Sequence, residues 1–303
     1  MSNELPSRTS IWAAAARAVG AGRNPDYLAA KLIGAAERAL LGEHQLARAL
    51  EFGDNLQHLE VQSAMQTLIV RTKFVDEGLE RAIAGGVTQV VILGAGWDTR
   101  AHRFADLLRG ARVFEVDQAA TQNWKRRRVG ETIGADPANL TYLLIDLRHQ
   151  TLADVLSAGG YDPDQKTFFI WEGVTMYLPE AAVRDTLLWI AQQAQGSSVV
   201  FDFAHRNLID SIAAMAKGWE PPTEAARVGM DRLRQIKAWG EPWIFGIPDG
   251  AADAFVSELG LAHRETLGMA STEAARRYLS WDRDEPFPAA IRQFYSIAEA
   301  TVL

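Results

Sequence analysis

Five short apolar runs between residues 89 and 203 constrain this chain more than any other feature. They are Gln89–Leu93 (QVVIL), Arg112–Val116 (RVFEV), Leu140–Ile145 (LTYLLI), Thr167–Trp171 (TFFIW) and Ser198–Phe203 (SVVFDF). Each is rich in β-branched and aromatic residues and too short for a stable helix. None alternates strictly between apolar and polar residues, so both faces of each strand are expected to be covered. The stretches between the runs are long enough for helices. Strands that alternate with helices build βαβ units, and the strands of such units are parallel. The expectation is an α/β fold with a mostly parallel sheet.

The flanks read differently. Before residue 87 the pattern is helical. Ile11 to Val19 is rich in alanine, the best helix former. Asp26 to Leu41 and Val61 to Ile83 repeat apolar residues at helical spacing, and Gly85-Gly86 ends the last helix. After Ala204, His205 to Trp239 is one long helical stretch interrupted by Pro221-Pro222. A short strand (Trp243–Ile247), a helix (Ala251–Leu259) and two strands (Leu261–Leu267 and Ser296–Val302) follow. A late strand fits a sheet closed by an antiparallel member. The chain thus divides, as one domain, into a helical region 1–86, a core 87–204, an insertion 205–248 and a remainder of the core 249–303.

Composition narrows the function. With 31 basic and 38 acidic residues the net charge is −7, which argues against nucleic acid as a partner. No apolar run approaches the roughly 18–20 residues of a membrane span. The polar first nine residues lack a secretory core. The absence of cysteine excludes disulfides, thiol nucleophiles and thiolate zinc sites, and the six histidines lack metal-ligand spacing. The expectations are a cytoplasmic protein, no metal, no membrane and a small-molecule partner. Lys125-Arg126-Arg127-Arg128 reads as a solvated helix face.

The first run ends in Gly94-Ala95-Gly96-Trp97-Asp98-Thr99-Arg100. Glycines after a first strand let backbone approach a ligand, and the next helix aims free N–H groups at it. A dinucleotide site wants a third small residue where Thr99 stands, which argues against a pyrophosphate. The second run ends in Asp117, placed to accept hydrogen bonds from ribose hydroxyls. Nicotinamide and S-adenosylmethionine enzymes share that device, so it does not separate them. Asp146 ends the third run, where it could bond an adenine amino group while Leu147 packs on the ring. Glu172 ends the fourth, where a carboxylate can attract a sulfonium or ammonium cation. Each of these acids could instead serve locally, the first two as helix caps and Glu172 with a buried partner.

GAGWDTRAHRF, FEVD, the Asp146-Leu147 pair and WEGVTMYLPEAAV together resemble the leucine carboxyl methyltransferase-like family of class I S-adenosylmethionine-dependent methyltransferases. Arg71-Thr72 with Asp76 matches the family's Arg-Thr-x-x-x-Asp element. The resemblance runs from about residue 60 to 204 and returns at Pro242–Gly246. It implies a seven-stranded Rossmann-like sheet with N-terminal helices and an inserted helical lid, and S-adenosylmethionine as cofactor. It also implies that Arg71 holds the methionine carboxylate, a geometry suited to a guanidinium. Gly94 and Gly96 would face the methionine part and ribose, Asp117 the ribose, Asp146 and Leu147 the adenine, and Glu172 the methionine end.

The acceptor does not carry over from the family. A carboxylate acceptor needs no base, whereas a hydroxyl or protonated amine does. Tyr177 and His205, near the ends of runs four and five, are the candidate catalytic groups, with structural roles as the alternative. Arg100 and Arg103 could orient an acidic acceptor or form salt bridges. Met215, Trp219, Met230, Trp239 and Trp243, with Trp12, could line an apolar acceptor pocket or simply pack the insertion. The expected function is methylation of oxygen on a small, partly apolar molecule, a carboxylate ahead of a hydroxyl. A nicotinamide oxidoreductase and a non-catalytic S-adenosylmethionine-binding protein are the alternatives.

Overall fold

The computed structural model describes residues 5–20, 24–42, 45–52, 59–146, 149–215, 224–279 and 294–303. Its strands are β1 (Gln89–Leu93), β2 (Arg112–Asp117), β3 (Leu140–Leu144), β4 (Thr167–Trp171), β5 (Ser198–His205), β6 (Gly246–Ile247), β7 (Leu261–Gly268) and β8 (Tyr295–Val302). They form one sheet in the order β3-β2-β1-β4-β5-β8-β7, with β6 also paired to β5. β1 to β6 pair with one another in parallel, while β8 is antiparallel to both β5 and β7. The chain winds from β1 outward to β3, then crosses back to β4. The carboxyl ends of β1 and β4 therefore flank a topological switch point, where open α/β sheets bind ligands.

The sheet has eight strands rather than the seven that the family resemblance implies, and its shortest, Gly246–Ile247, pairs with the end of β5. The strand expected over Trp243–Ile247 is correspondingly short. The N–H groups of Ile244 and Phe245 donate instead to the Met176 carbonyl at 2.8 and 3.2 Å. That ties this stretch to the single turn Thr175–Tyr177 that follows β4.

Alternation along the strands feeds two apolar layers. Val90, Ile92, Phe168 and Ile170 face a helix spanning Leu59–Ala84, through Val70, Phe74 and Leu79. Val91, Leu93, Phe169 and Trp171 face the opposite layer, which includes Leu187 of the helix Glu180–Ile190. A third cluster lies under the N-terminal helix Arg8–Val19, whose Ala14, Ala15 and Ala16 are fully buried beside Leu68 and Trp97. Small side chains let that helix settle closely on the rest of the molecule.

The basic run is a solvated face only in part, since Arg126 and Arg127 are exposed but Lys125 is buried. It lies on the helix Ala119–Thr132, where Lys125 turns inward and its Nζ meets Glu115 at 2.5 Å, both side chains buried. Arg126 lies over the Tyr142 ring, Arg127 over Trp124, and Arg128 pairs with Glu131 at 2.7 Å. Four consecutive residues sweep around a helix, so one of them meets the sheet. The stretch after Ala204 is helical on both sides of Pro221-Pro222, as expected, and departs from expectation only at its first residue. His205 still belongs to β5, and the helices are Arg206–Met215 and Glu224–Ala238. Among the described residues, no helix is long and apolar enough to cross a membrane.

Candidate active site

The turn after β1 carries two glycines in the left-handed region, Gly94 at φ +63° and Gly96 at φ +50°. Side chains other than glycine's are strained there. A Cβ on Gly94 would also lie 2.5 Å from Val174 Cγ2. The turn is pinned to β2, since the N–H groups of Gly94 and Ala95 donate to the Val116 carbonyl at 2.8 and 3.2 Å. One residue on, Asp117 Oδ2 accepts from the Gly96 N–H and Oδ1 accepts from the Gln118 N–H. Burial raises the Asp117 carboxyl above its ordinary value, and the Gly96 N–H works against that rise. A carboxylate has about four lone-pair sites, so two donors leave acceptor capacity on its open side.

Beyond β4 stands a buried charge network. Glu172 Oε1 meets Arg71 Nε at 2.8 Å and its Oε2 meets Arg100 Nη1 at 2.8 Å. Burial would raise the Glu172 carboxyl, but Arg100 and Arg71 hold it at about 2. Arg71 Nη1 also meets Asp202 of β5 at 2.9 Å, and the Asp202 carboxylate accepts from the Gly173 N–H at 2.7 Å and the Tyr295 hydroxyl at 2.6 Å. Arg71 is thereby fixed by two carboxylates.

Arg100 and Arg103 take the salt-bridge role. Arg100 Nε meets Asp76 at 2.7 Å, and Arg103 meets the same carboxylate at 2.9 Å. Both are buried and neither lines the main cavity. The Arg-Thr-x-x-x-Asp element thus supplies Arg71 to the cavity and Asp76 to this network. Thr99 donates to Asp26 at 2.6 Å, so the third position of the glycine pattern is committed inward.

These groups border a cavity of about 960 Å³ at the carboxyl edge of the sheet. That lies near the upper end of the ~300–1,000 Å³ typical of ligand sites. Arg71, Gly94, Gly96, Asp117, Glu172 and Tyr177 all line it. The far wall comes from the N-terminal helix and the segment before β6, through Trp12, Leu233, Ile236, Trp239 and Trp243. Trp243 stacks on Tyr295, ring centres 5.6 Å apart, and meets Tyr177 edge-on at 6.4 Å. Met230 packs in the core instead, while Trp219 and the Met215 side chain lie outside the described residues.

His205 needs correction as a catalytic candidate, because it does not line this cavity. Alternation along β5 turns Asp202 and Ala204 toward the Leu59–Ala84 helix and His205 the other way, beside Phe203. Its Nε2 is 2.8 Å from the Ser296 hydroxyl, and burial lowers its pKa despite Asp249 at 3.6 Å. Asp146 follows β3 but is also absent from the cavity wall. Its N–H donates to Gln150, and its carbonyl accepts from the N–H groups of His149 and Gln150. Leu147 lies outside the described residues.

Sequence reasoning missed Asp202, Tyr295 and Glu241. A charged residue inside the apolar run SVVFDF was the available signal for Asp202. Nothing local marks Glu241, which acts across the fold. Its carboxylate accepts from the Arg8 N–H at 3.2 Å, the Thr9 N–H at 3.0 Å and the Thr9 hydroxyl.

The winding order, the switch point and the antiparallel β8 define a Rossmann-like class I methyltransferase fold. Two solved structures share it at low identity. A protein of Thermobifida fusca assigned as a methyltransferase aligns at TM-score 0.52 and 17% identity, over 86% of this chain and 89% of its own. A DUF574-family protein of Streptomyces avermitilis aligns at TM-score 0.50 and 14% identity, over 85% of this chain and 90% of its own. The chain belongs to the leucine carboxyl methyltransferase family, which it matches over residues 10–191. Its relatives include proteins assigned as S-adenosyl-L-methionine-dependent methyltransferases. One from Streptomyces avermitilis is 40% identical over 151 residues, 50% of this chain and 53% of the relative. One from Frankia alni is 38% identical over 145 residues, 48% of this chain and 50% of the relative. The chain spans about half the length of the curated relatives it matches.

Proposed function

We propose that this protein is an S-adenosylmethionine-dependent methyltransferase acting on an oxygen of a small, partly apolar acceptor, a carboxylate in preference to a hydroxyl. The observation that carries the reading is Asp117, which closes the Gly94–Gly96 turn from the end of β2 and keeps lone pairs for ribose hydroxyls. The residues fit the cofactor. The bare turn leaves room for a ribose and a methionine chain, and Val116 and Ile145 offer apolar surface for an adenine. Arg71 and Glu172 would face the charged methionine end. A pyrophosphate is disfavoured because Thr99 occupies the position where a dinucleotide site wants a small residue.

When bound, the cofactor supplies an electrophilic methyl group on a sulfonium. The chain's own part is to bind, orient and exclude water. Trp12, Trp239 and Trp243 would cover the acceptor, and Tyr177 would hold its position beside the methionine end. No histidine lines the cavity among the described residues. An acceptor already ionised at neutral pH suits such a wall, since it has no proton to give up.

Two measurements test this. Calorimetry should show S-adenosylmethionine and S-adenosylhomocysteine binding and NAD and NADP failing to bind; tighter NAD binding would overturn the reading. A panel of acids, phenols and amines with labelled cofactor should give a product cleaved by mild alkali, as an ester is. An alkali-stable product would exclude the carboxylate.

A further inference from the structure

Three arginines line the cavity among the described residues, Arg8, Arg17 and Arg71. Two are spent. Arg17 Nε meets Asp26 at 2.8 Å and its Nη2 donates to the Trp97 carbonyl at 2.9 Å. Arg71 is held by Glu172 and Asp202. Arg8 is different. It is half-buried, yet no acidic group of the described residues lies within ion-pairing distance of its guanidinium.

The acids that share the cavity are occupied as well. Asp98 and Glu172 pair with Arg100. Asp117 closes the glycine turn. Glu241 binds the Arg8 and Thr9 backbone and the Thr9 hydroxyl, which anchors the start of the helix without neutralising the Arg8 side chain. Among the described residues the cavity lining therefore includes one unmatched cation, with Trp12, Trp239 and neighbouring apolar side chains in the same wall. A guanidinium partly withdrawn from water favours an anion with planar, paired oxygens.

We infer that Arg8 is the specificity-determining residue for the acceptor, engaging the carboxylate of a small molecule whose apolar body lies against Trp12 and Trp239. This rests on the proposed function and names the group that selects its substrate. Arg8 belongs to the wall built by the N-terminal helix and Glu241, whereas Arg71 adjoins Glu172 and Gly173 at the strand ends. The two guanidiniums therefore belong to different walls of the cavity, and of the two only Arg8 has no carboxylate partner among the described residues.

The test uses the full chain and three probes that differ only in the head group: 4-phenylbutyrate, 4-phenylbutan-1-ol and 4-phenylbutylamine. Calorimetry should show the acid binding at least ~10-fold more tightly than the alcohol, and the amine weakest, as expected for a charge-assisted contact. Arg8→Gln should bring the acid to within about twofold of the alcohol while the alcohol's affinity holds. Arg8→Lys should retain part of the preference, since it keeps the charge but loses the fork. Unchanged melting temperatures verify that both variants fold. Absence of an acid preference in the unmutated protein, or failure of the acid to bind at all, overturns the inference. So does an equal loss for acid and alcohol in Arg8→Gln, which would make Arg8 a wall residue only. A third overturning result assigns the cation to the cofactor: Arg8→Gln weakens S-adenosylhomocysteine but not methylthioadenosine and leaves the probe preference intact. Failure of S-adenosylhomocysteine to bind the unmutated protein sinks the methyltransferase reading separately, because the probes are also titrated without it.

Discussion

Glu172 is a carboxylate in a place where burial alone would keep it protonated, and two guanidiniums reverse that. Its folded pKa of about 2 lies below the ordinary 4.5. An acid depressed in the folded state contributes stability that is fully present above its unfolded pKa and lost as pH falls through the folded one. Melting temperature should therefore drop on acidification between about pH 4.5 and 2, with Glu172 among the causes. Glu172→Gln should reduce that slope and cost stability at neutral pH, because Arg71 and Arg100 lose their shared partner. A variant with the same slope and the same neutral stability would show that the pairings carry no weight. Asp117 supports a separate expectation. Asp117→Ala removes charge-assisted hydrogen bonds worth about 1.5–3 kcal/mol, a loss of roughly 10- to 150-fold in cofactor affinity. Calorimetry with S-adenosylhomocysteine checks it. Unchanged affinity in a folded variant would reduce Asp117 to a brace for the glycine turn.

At the scale of elements, the helix Arg8–Val19 begins on groups supplied from elsewhere. Ser7 accepts from the Ser10 N–H at 3.1 Å, and Glu241 takes the N–H groups of Arg8 and Thr9. A helix start leaves such donors without internal partners, and an acid there also answers the helix dipole. Glu241→Ala should cost about 0.5–2 kcal/mol, the range for losing a cap. It should also speed hydrogen exchange at Arg8 and Thr9 while cofactor affinity holds. Unaltered exchange would mean that Ser7 alone fixes the start. The same contrast explains what the sequence could reveal. β1 and β4 are legible to the residue because each is a continuous buried run, and the glycine turn because its chemistry is local. Glu241 acts on residues more than 230 positions away, and no local pattern records that. His205 was misjudged for a related reason. Its place at a strand end was correct, but the side of the sheet depends on parity along β5, which a run without strict alternation hides.

The whole molecule joins three parts around one cavity: the carboxyl edge of the sheet, the N-terminal helix and the segment that ends at Trp243. The parts are linked through Arg17 to Asp26, Asp26 to Thr99, and Glu241 to Thr9, so each wall leans on another. A ligand that binds only the folded chain stabilises it by about 2.7 kcal/mol at 100 times its dissociation constant. S-adenosylhomocysteine at that excess should raise the melting temperature by several degrees. The distribution of the gain is the sharper expectation. Because the turn carrying Gly94 and Gly96 packs against Ser10 and Val174, ordering it should slow hydrogen exchange beyond the turn. Slower exchange should reach the first turn of the helix Arg8–Val19, and at the other side Ile244 and Phe245, whose N–H groups bind the Met176 carbonyl. Such opening free energies are local properties, lowest where few contacts hold an element. Protection confined to Gly94, Gly96 and Asp117 would mean that the walls open independently of the cofactor, and that the cavity is three neighbouring surfaces rather than one coupled site.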